Sequence, residues 1–447
     1  MSSSYSQHTG HGFIISAVLL LLLRFAFSNG IKHDRAAAVM KCFDGVDCLS
    51  KRTAWEHLTE DLPSCLVAAR VWWSSRPAAI PVTLVTQLSA ERLDQLRAQC
   101  ATWSGPLAAA LYLPLLNPSS HELQDTSRQK LQAMIASAEE LFKASETNQL
   151  HTVRLGNHRS SDGAISTSTN SSSGSGGGGA GGCQLRLILI YELFADPRAL
   201  VLYPVNSLRN YARLLADTDL ITNIDVDMLP SASISAALAD PALRATYQAG
   251  AAAGGVYVWP AFETHCGGTS YADAVALADK AALPAALRKC LRRMRPKAPA
   301  SHNATDYERW MATDGVYDIQ YGALYEPWFL SWRWGTLWYD YRYRGYGKNK
   351  IVQAAATNAT GAAWHVSPHG FLVHRPHSES RARRDFLRAK FSRKDMEDLR
   401  GSLYEHVEAL WAGTTAELAA GSYMARVERP FQACLEALPW WRKEQRR

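Results

Sequence analysis

The chain has 447 residues, of which 47% are hydrophobic, and it carries a formal net charge of +7. This much apolar material supports one large or two ordinary globular domains and excludes a disordered protein. The small positive charge argues weakly for acidic partners such as nucleotide-sugar phosphates or anionic glycans. The sequence lacks zinc-knuckle spacing, an RNP pattern and a basic zipper helix, so nucleic acid is not a predicted partner.

The segment 1–30 contains an apolar run from Phe13 to Phe27 that is interrupted by Arg24. The run could nearly span a bilayer if the Arg24 side chain reaches the interface, which would make it a signal anchor and the membrane a partner. A small-residue cleavage site around Ala26 would instead make it a cleaved signal peptide, and both interpretations stay open. Either one predicts that the rest of the chain enters the secretory pathway.

Two further patterns suit a lumenal chain. Asn-x-Ser/Thr tripeptides occur at Asn170, Asn303 and Asn358, and each is a potential acceptor for N-glycosylation. The eight cysteines are even in number and scattered without a CxxC motif. An oxidising lumen would allow one to four disulfides, whose pairing cannot be read from the spacing.

After a stem over 31–75, the chain is predicted to alternate strands and helices. A strand at 81–88 ("PVTLVTQL") is followed by a helix at 89–100, a strand at 107–114 and a helix at 119–143. Further on come a helix at 205–216, a helix after Pro230 and a strand within 254–263. This alternation is typical of an α/β fold with a mostly parallel sheet.

A glycine- and serine-rich tract over 156–182 separates two predicted strands, at 150–156 and 183–194. The tract has almost nothing apolar to bury, so it predicts a flexible insertion between sheet elements rather than a domain boundary. We expect its deletion to leave the melting temperature almost unchanged, because long loops close at a small entropic cost.

The stretch "DLITNIDVDMLPS", from Asp219 to Ser231, places two carboxylates two residues apart in an extended apolar run. On a strand, Asp225 and Asp227 would project on the same side. Two neighbouring carboxylates repel each other unless a cation or a raised pKa compensates, so the pattern indicates a metal site. A polar strand end that runs into a turn at Pro230 is the simpler alternative.

The segment "WHVSPHGFLVHRPH" contains four histidines that could ligate a metal, namely His365, His369, His374 and His377. Zinc sites favour tetrahedral ligation by nitrogen and sulfur, and no cysteine lies nearby in the sequence. A carboxylate-rich site beside a nucleotide phosphate prefers Mn²⁺ or Mg²⁺. One strand-borne histidine that closes such a site is therefore chemically reasonable.

The segment 321–350 is rich in aromatic residues, among them Trp328, Trp332, Trp334 and Trp338. Flat amphipathic rings can stack against sugars, but a structural aromatic core is the preferred interpretation for most of them. Gly345 and Gly347 suggest that the segment also contains a binding loop.

Five motifs resemble, in order and spacing, the LARGE-type glucuronyltransferases of glycosyltransferase family 49, which includes the β-1,4-glucuronyltransferase and the C-terminal half of LARGE. They are "LYPVNSLRNYARLLADTDLITNIDVDMLPS", "VYVWPAFE", "LYEPW", "YDYRYRGYGKNK" and "FLVHRPH". The resemblance runs from about Val82 to His377. It implies a GT-A fold, an α/β mixed sheet flanked by helices, over 76–435, and leaves 436–447 as a basic tail.

The same resemblance implies a type II Golgi membrane protein with an inverting mechanism, a UDP-sugar donor, a glycan acceptor and Mn²⁺, with Mg²⁺ as a substitute. Residue by residue, it implies the metal ligands Asp225, Asp227 and His374, and nucleotide contacts from Asn206, Arg209, Asn210 and Asp225. An inverting transfer also needs a base for the acceptor hydroxyl. The motifs offer Glu326, Glu263 and Asp340, with Glu326 slightly favoured and a structural role open for each.

The sequence therefore predicts a metal-dependent transferase of glucuronic acid from a UDP-sugar to a glycan. Tyr343 stands where the family usually has Phe, so xylose or another sugar stays open as the transferred unit. A catalytically inactive lumenal glycan-binding protein on the same fold is the alternative. A zinc hydrolase is a third interpretation, which would require two of the four histidines to ligate together.

Overall fold

A computed structural model of the chain describes residues 35–44, 51–56, 65–118, 122–147, 182–295, 298–391 and 401–442. The N-terminal apolar run, the predicted strand at 150–156 and nearly all of the glycine-rich tract lie outside the described residues. Within these ranges, no helix has both the length and the hydropathy that a membrane span requires.

Thirteen strands in the described part of the chain form two sheets. In chain order they are β1 (Val67–Trp73), β2 (Val82–Ser89), β3 (Pro106–Leu116), β4 (Gln184–Phe194), β5 (Leu220–Asn223), β6 (Met228–Pro230), β7 (Gly255–Trp259), β8 (Ala261–Thr264), β9 (Leu291–Arg293), β10 (Tyr317–Asp318), β11 (Trp328–Trp332), β12 (Ala363–Val366) and β13 (Leu372–His374). The larger sheet has the order β1-β4-β3-β2-β5-β11-β7-β12-β10, and the smaller one has the order β6-β13-β8-β9.

The larger sheet is mixed. Its centre, β4-β3-β2-β5, is parallel, whereas β1 is antiparallel to β4 and β11 is antiparallel to both β5 and β7. The eleven residues of β4 are all buried, which is the pattern of a strand covered on both faces. The prediction of an α/β fold with a mixed sheet flanked by helices is confirmed.

Helices cover the two faces of this sheet. Those described are α1 (35–42), α2 (Leu93–Thr102), α3 (Asp125–Glu146), α4 (Val205–Leu214), α5 (Ala232–Ala239), α6 (Pro241–Ala252), α7 (Gly268–Ala276), α8 (Leu283–Leu287), α9 (Tyr307–Ala312), α10 (Asn349–Ala359), α11 (Arg381–Phe391), α12 (Leu403–Ala419) and α13 (Arg429–Ala437). One apolar core lies between the sheet and α2 and α3. A second core lies under α4, α12 and α13.

Ordered structure extends beyond 76–435 at both ends, into the segments predicted as the stem and the basic tail. Strand β1 pairs with β4, and Val39 of α1 is fully buried in the second core. At the other end, Trp440 and Trp441 are buried, and both indole N–H groups donate to the carbonyl oxygen of Leu214. Apolar side chains among the basic residues therefore anchor both termini of the domain.

Two disulfides link described residues, within the predicted range of one to four. Cys100 at the end of α2 is joined to Cys183 just before β4, and Cys266 is joined to Cys290. The first of them fixes the entrance to β4 on the far side of the glycine-rich tract.

Candidate active site

The two aspartates of the "DVD" motif lie in a turn, which corrects the prediction that they share one face of a strand. Strand β5 ends at Asn223 in the larger sheet, and β6 begins at Met228 in the smaller sheet. The Met228 N–H donates to the carbonyl oxygen of Asp225 at 2.9 Å and closes the turn. The Gln99 amide donates to the carbonyl oxygens of Asp225 and Met228 and holds the turn against α2.

The carboxylate of Asp225 is held by two cations and an indole. Arg209 Nη2 donates to Oδ1 at 2.7 Å, while Lys350 Nζ and Trp328 Nε1 donate to Oδ2 at 2.9 and 3.1 Å. Burial alone would raise the pKa of Asp225, but the charges of Lys350 and Arg209 outweigh burial and lower it far below its usual range. Asp225 is therefore ionised and neutralises part of a basic cluster.

Asp227 points away from these cations toward two histidines. Its Oδ2 lies 2.7 Å from His377 Nε2 and 3.8 Å from His374 Nε2, and the two Nε2 atoms are 3.3 Å apart. His374 ends β13, which is paired with β6 so that His374 faces Met228 across the ladder. Each of the three side chains is between one-fifth and one-quarter exposed, so the group opens to solvent.

Asp227, His374 and His377 together fit a metal ion. One ligand atom from each residue lies within 4.8 Å of the other two. A carboxylate oxygen with two imidazole nitrogens suits Mn²⁺, and the same donors also suit Zn²⁺. The predicted set of Asp225, Asp227 and His374 differs from this group, because the structure turns Asp225 toward cations and brings in His377.

The protonation states of this group favour metal binding at neutral pH. Burial lowers the pKa of His374 more than the nearby Asp227 raises it, so the imidazole is neutral. Burial would raise the pKa of Asp227, but the hydrogen bond from His377 opposes burial, and the net effect is a lowered pKa. Ligands that are already deprotonated bind a cation without first losing a proton.

The other two histidines of the predicted quartet lie elsewhere. His365 Nδ1 is 2.7 Å from Asp318, and its ring stacks on Tyr257. His369 packs edge-on against Tyr247. The zinc interpretation requires two of the four histidines to ligate together. His374 and His377 are the two that lie close enough to do so.

Of the four residues predicted to contact a nucleotide, Arg209 and Asp225 reach the site. The amide of Asn206 donates to the carbonyl oxygen of Asp340, and its oxygen accepts from Arg209. The amide of Asn210 makes two hydrogen bonds with the backbone of Tyr339. Both asparagines are fully buried in α4, so they support the segment opposite α4 rather than face a ligand.

The candidate bases divide into two that border the site and one that does not. Glu326 lies 3.1 Å from Arg295, and Glu263 lies 2.7 Å from Arg292 and pairs across the small sheet with His374. The Asp340 carboxylate is fully buried in an ion pair with Arg342 at 2.7 Å. This placement favours the structural role for Asp340.

The tryptophans follow the preferred structural interpretation. Trp334 packs against Trp441, and Trp338 packs against Phe431 and Trp441 in the second core. Trp328 differs, because its indole N–H contacts Asp225 directly.

Sequence reasoning missed four residues of the site. His377 was grouped with the histidines but not assigned as a ligand, although its position three residues after His374 was a usable signal. Lys350 ends the "GYGKNK" motif, but nothing in the motif links it to Asp225. Arg295 and His302 belong to no motif and come near the site only through the fold.

The protein combines a mixed α/β sheet with a carboxylate–histidine group and adjacent buried cations. Such a site is suited to bind a metal ion together with an anionic ligand. Residues 81–403 match the family model described as "Glycosyl-transferase for dystroglycan". The chain belongs to this LARGE-type family of glycosyltransferases, which confirms the resemblance.

Relatives agree with that assignment. The chain is 28% identical over 312 residues to the xylosyl- and glucuronyltransferase LARGE2 of Rattus norvegicus, which covers 68% of this chain and 36% of the relative. The LARGE2 of Homo sapiens is also 28% identical, over 68% of this chain and 34% of the relative. A glycosyltransferase-like protein, gnt14 of Dictyostelium discoideum, is 31% identical over 40% of this chain and 27% of its own length. The chain thus spans about one-third of the length of the LARGE2 relatives that it matches.

A solved structure with weaker likeness is GalNAc-T7 with UDP, GalNAc and Mn²⁺. It is 10% identical, covers 76% of this chain and 58% of its own, and has a TM-score of 0.26. A similarity at this level does not define the fold.

Proposed function

We propose that the protein is an inverting, Mn²⁺-dependent glycosyltransferase that moves glucuronic acid from UDP-glucuronate to a glycan acceptor. The observation that carries this proposal is the group of Asp227, His374 and His377. Its Asp227 lies in the same turn as Asp225, which binds Arg209 and Lys350. A metal next to fixed cations suits a nucleotide diphosphate, which carries several negative charges. Membership of a glycosyltransferase family and the relatives named xylosyl- and glucuronyltransferases support the same reaction class.

The residues of the site would have separate roles in binding the donor. Asp227, His374 and His377 would hold the cation, which supplies Lewis-acid stabilisation to the leaving diphosphate. Arg209 and Lys350, fixed by Asp225, would contact the diphosphate or the sugar from the other side. The turn that carries both aspartates would align these two sets of groups.

A base must remove the proton of the acceptor hydroxyl as its oxygen attacks the anomeric carbon from the face opposite UDP. Glu326 and Glu263 are the candidates, because both carboxylates are largely but not fully buried and border the site. We favour Glu326, whose partner Arg295 interacts electrostatically with Asp225.

We also propose a GT-A fold and residence of this domain in the Golgi lumen. The disulfides Cys100–Cys183 and Cys266–Cys290 support an oxidising compartment. Asn303 and Asn358 are both exposed, as glycosylation acceptors must be.

The proposal is tested by UDP release from UDP-glucuronate in the presence of Mn²⁺ and a panel of glycan acceptors. Asp227→Asn, His374→Ala and His377→Ala should each lower turnover by about 100-fold or more, since each removes a metal ligand. Chelation should abolish turnover, and added Mn²⁺ should restore it.

His369→Ala is the matched control and should keep wild-type turnover, because His369 lies against Tyr247 rather than at the metal group. Chelator-insensitive turnover, or wild-type turnover in His377→Ala, would contradict the proposed metal centre. Restoration by Zn²⁺ alone would favour the zinc interpretation. Mn²⁺ and glycan binding without UDP release from any donor would favour the inactive glycan-binding alternative.

A further inference from the structure

Five side chains form a cluster beside the metal group without belonging to it. We call Arg295, His302, Glu326, Trp328 and Lys350 the Arg295 cluster. The ring of His302 stacks on that of Trp328 with centroids 5.6 Å apart and planes 9° apart. Lys350 Nζ lies 3.7 Å from the centre of the Trp328 ring. The cluster therefore surrounds one indole with two different polar groups.

Three members of this cluster lie at or near residues whose backbone is in the left-handed region. Among the described residues, Arg295, Leu324 and Lys348 are the non-glycine residues with positive φ, at +47°, +67° and +58°. Leu324 precedes Glu326 by two residues, and Lys348 precedes Lys350 by two. Left-handed conformations at such residues persist where the surrounding structure imposes them, and they concentrate at ligand-binding sites.

Arg295 differs from the other two cations in its carboxylate partner. Arg209 and Lys350 both pair with the carboxylate of Asp225, which stays in place when they contact the donor. Arg295 instead meets Glu326, with Nη1 at 3.2 Å from Oε1 and 3.1 Å from Oε2, and its side chain is 34% exposed. Within the described part of the chain, Nη1 is its one hydrogen-bonded guanidinium nitrogen, so the rest of the planar fork is open to a carboxylate.

The position of Arg295 puts this capacity next to the metal group. Strand β9 pairs with β8, and β8 pairs with β13, the strand that ends at His374. Met294, the neighbour of Arg295, donates its N–H to the carbonyl oxygen of Ala261 in β8 at 3.1 Å. Arg295 therefore leaves the small sheet two strands away from the metal group.

His302 provides a second ligand-directed feature. Its residue surface is only 5% exposed, and its Nε2 has no hydrogen-bond partner among the described residues. Buried polar atoms are nearly always paired, so an unpaired ring nitrogen beside Lys350 and Arg295 indicates a place for a ligand hydroxyl.

We propose that Arg295 binds the carboxylate of the uronic acid in the donor and thereby selects a hexuronate over a neutral sugar. In the unliganded protein Glu326 pairs with Nη1, and the donor carboxylate competes with it for the charge of the guanidinium. This inference rests on the proposed function and adds the residue that determines donor choice.

UDP-xylose is the matched probe, because xylose is glucuronic acid without its carboxylate. The dissociation constants of UDP-glucuronate and UDP-xylose are measured by calorimetry with Mn²⁺ and without acceptor. Wild type should prefer UDP-glucuronate by about tenfold or more, the range expected of a charge-assisted contact. Arg295→Met should bring the ratio of the two constants close to one.

Arg293→Met is the control, because Arg293 lies in the same segment but pairs with Glu308 and stacks on Tyr307. It should keep the wild-type ratio. Glu326→Gln removes the competing carboxylate and should increase the preference for UDP-glucuronate, which tests the inference even if Arg295→Met does not fold.

An unchanged ratio in Arg295→Met, or a decreased preference in Glu326→Gln, would overturn the inference while leaving the proposed function intact. Equal binding of UDP-glucuronate and UDP-xylose by wild type would also overturn the inference and leave the proposed function intact. If wild type binds neither UDP-sugar, the proposed function itself is overturned together with this inference.

Discussion

Asp225 and Asp227 are two residues apart in sequence, but different neighbours determine what each carboxylate contributes to stability. Asp225 compensates Arg209, whose side chain is only 5% exposed, and Lys350, whose side chain is 14% exposed. Asp227 faces His374, which is neutral because its pKa is lowered, and His377. The loss of one charge should therefore have different consequences at the two positions.

Asp225→Asn should destabilise the protein by about 3 kcal/mol, because it leaves two buried cations without their counter-ion. Two repelling carboxylates on one face of a strand would instead predict little loss of stability on removal of one charge. Thermal or urea melts of the metal-free protein measure the difference. Asp227→Asn is the comparison and should change stability little. Equal stability of the two variants would contradict the pairing seen at Asp225.

His302 should make the folded state sensitive to acid. Burial, aided by Lys350 and Arg295, lowers the pKa of His302 to about 3. The unfolded chain takes up a proton near its ordinary pKa of about 6.5 while the folded chain does not, so stability falls as the pH drops below 6.5.

Between pH 7 and pH 5 this difference amounts to about 2 kcal/mol. His302→Gln should remove that part of the pH dependence, so its stability should fall less than that of wild type over the same interval. Urea unfolding at the two pH values provides the measurement. Parallel losses in wild type and variant would show that His302 is not buried in its neutral form.

At the scale of elements, the disulfide Cys100–Cys183 determines how the chain enters the centre of the sheet. Cys183 lies next to β4, and its backbone N–H donates to the carbonyl oxygen of Cys100. The residues joined are 83 apart in sequence. The closed loop includes β3, α3 and the glycine-rich tract.

We expect the disulfide and the tract to have opposite effects on stability. Replacement of Cys100 and Cys183 by Ala should cost about 2–4 kcal/mol, because a long loop of the unfolded chain is no longer constrained. Deletion of 157–180 should leave the melting temperature nearly unchanged. Calorimetric scans with and without reductant measure the melting temperature and the stability of both variants. A large loss on deletion alone would show that the tract packs against the domain.

The sequence predicted elements best where the apolar pattern was unambiguous. Strands β3 and β4 are long apolar runs, and the helix at 205–214 starts near its predicted residue. The break between β5 and β6 was missed because "LITNIDVDMLP" keeps an extended, apolar pattern through the turn. Only the transfer of the chain to a second sheet explains the break, and that transfer depends on β13 and β8 far away in sequence.

At the scale of the whole molecule, the site draws on segments that are more than 150 residues apart, from Arg209 to His377. The motifs directed attention to Asp225, Asp227, His374 and Arg209, which the fold brings close together. They could not reveal that the first aspartate neutralises cations, since Lys350 and Trp328 reach it only in the folded chain. Arg295 carried no local signal at all.

The turn at 224–227 also joins the two sheets, because β5 belongs to the larger one and β6 to the smaller one. The groups around Asp225 come from α4, β11 and α10, whereas His374 beside Asp227 comes from β13. Substitutions that alter one set of groups leave the other attached to its own framework. The four-residue crossing therefore makes the site modular, so that in evolution the groups around Asp225 can change while those around Asp227 are inherited unchanged.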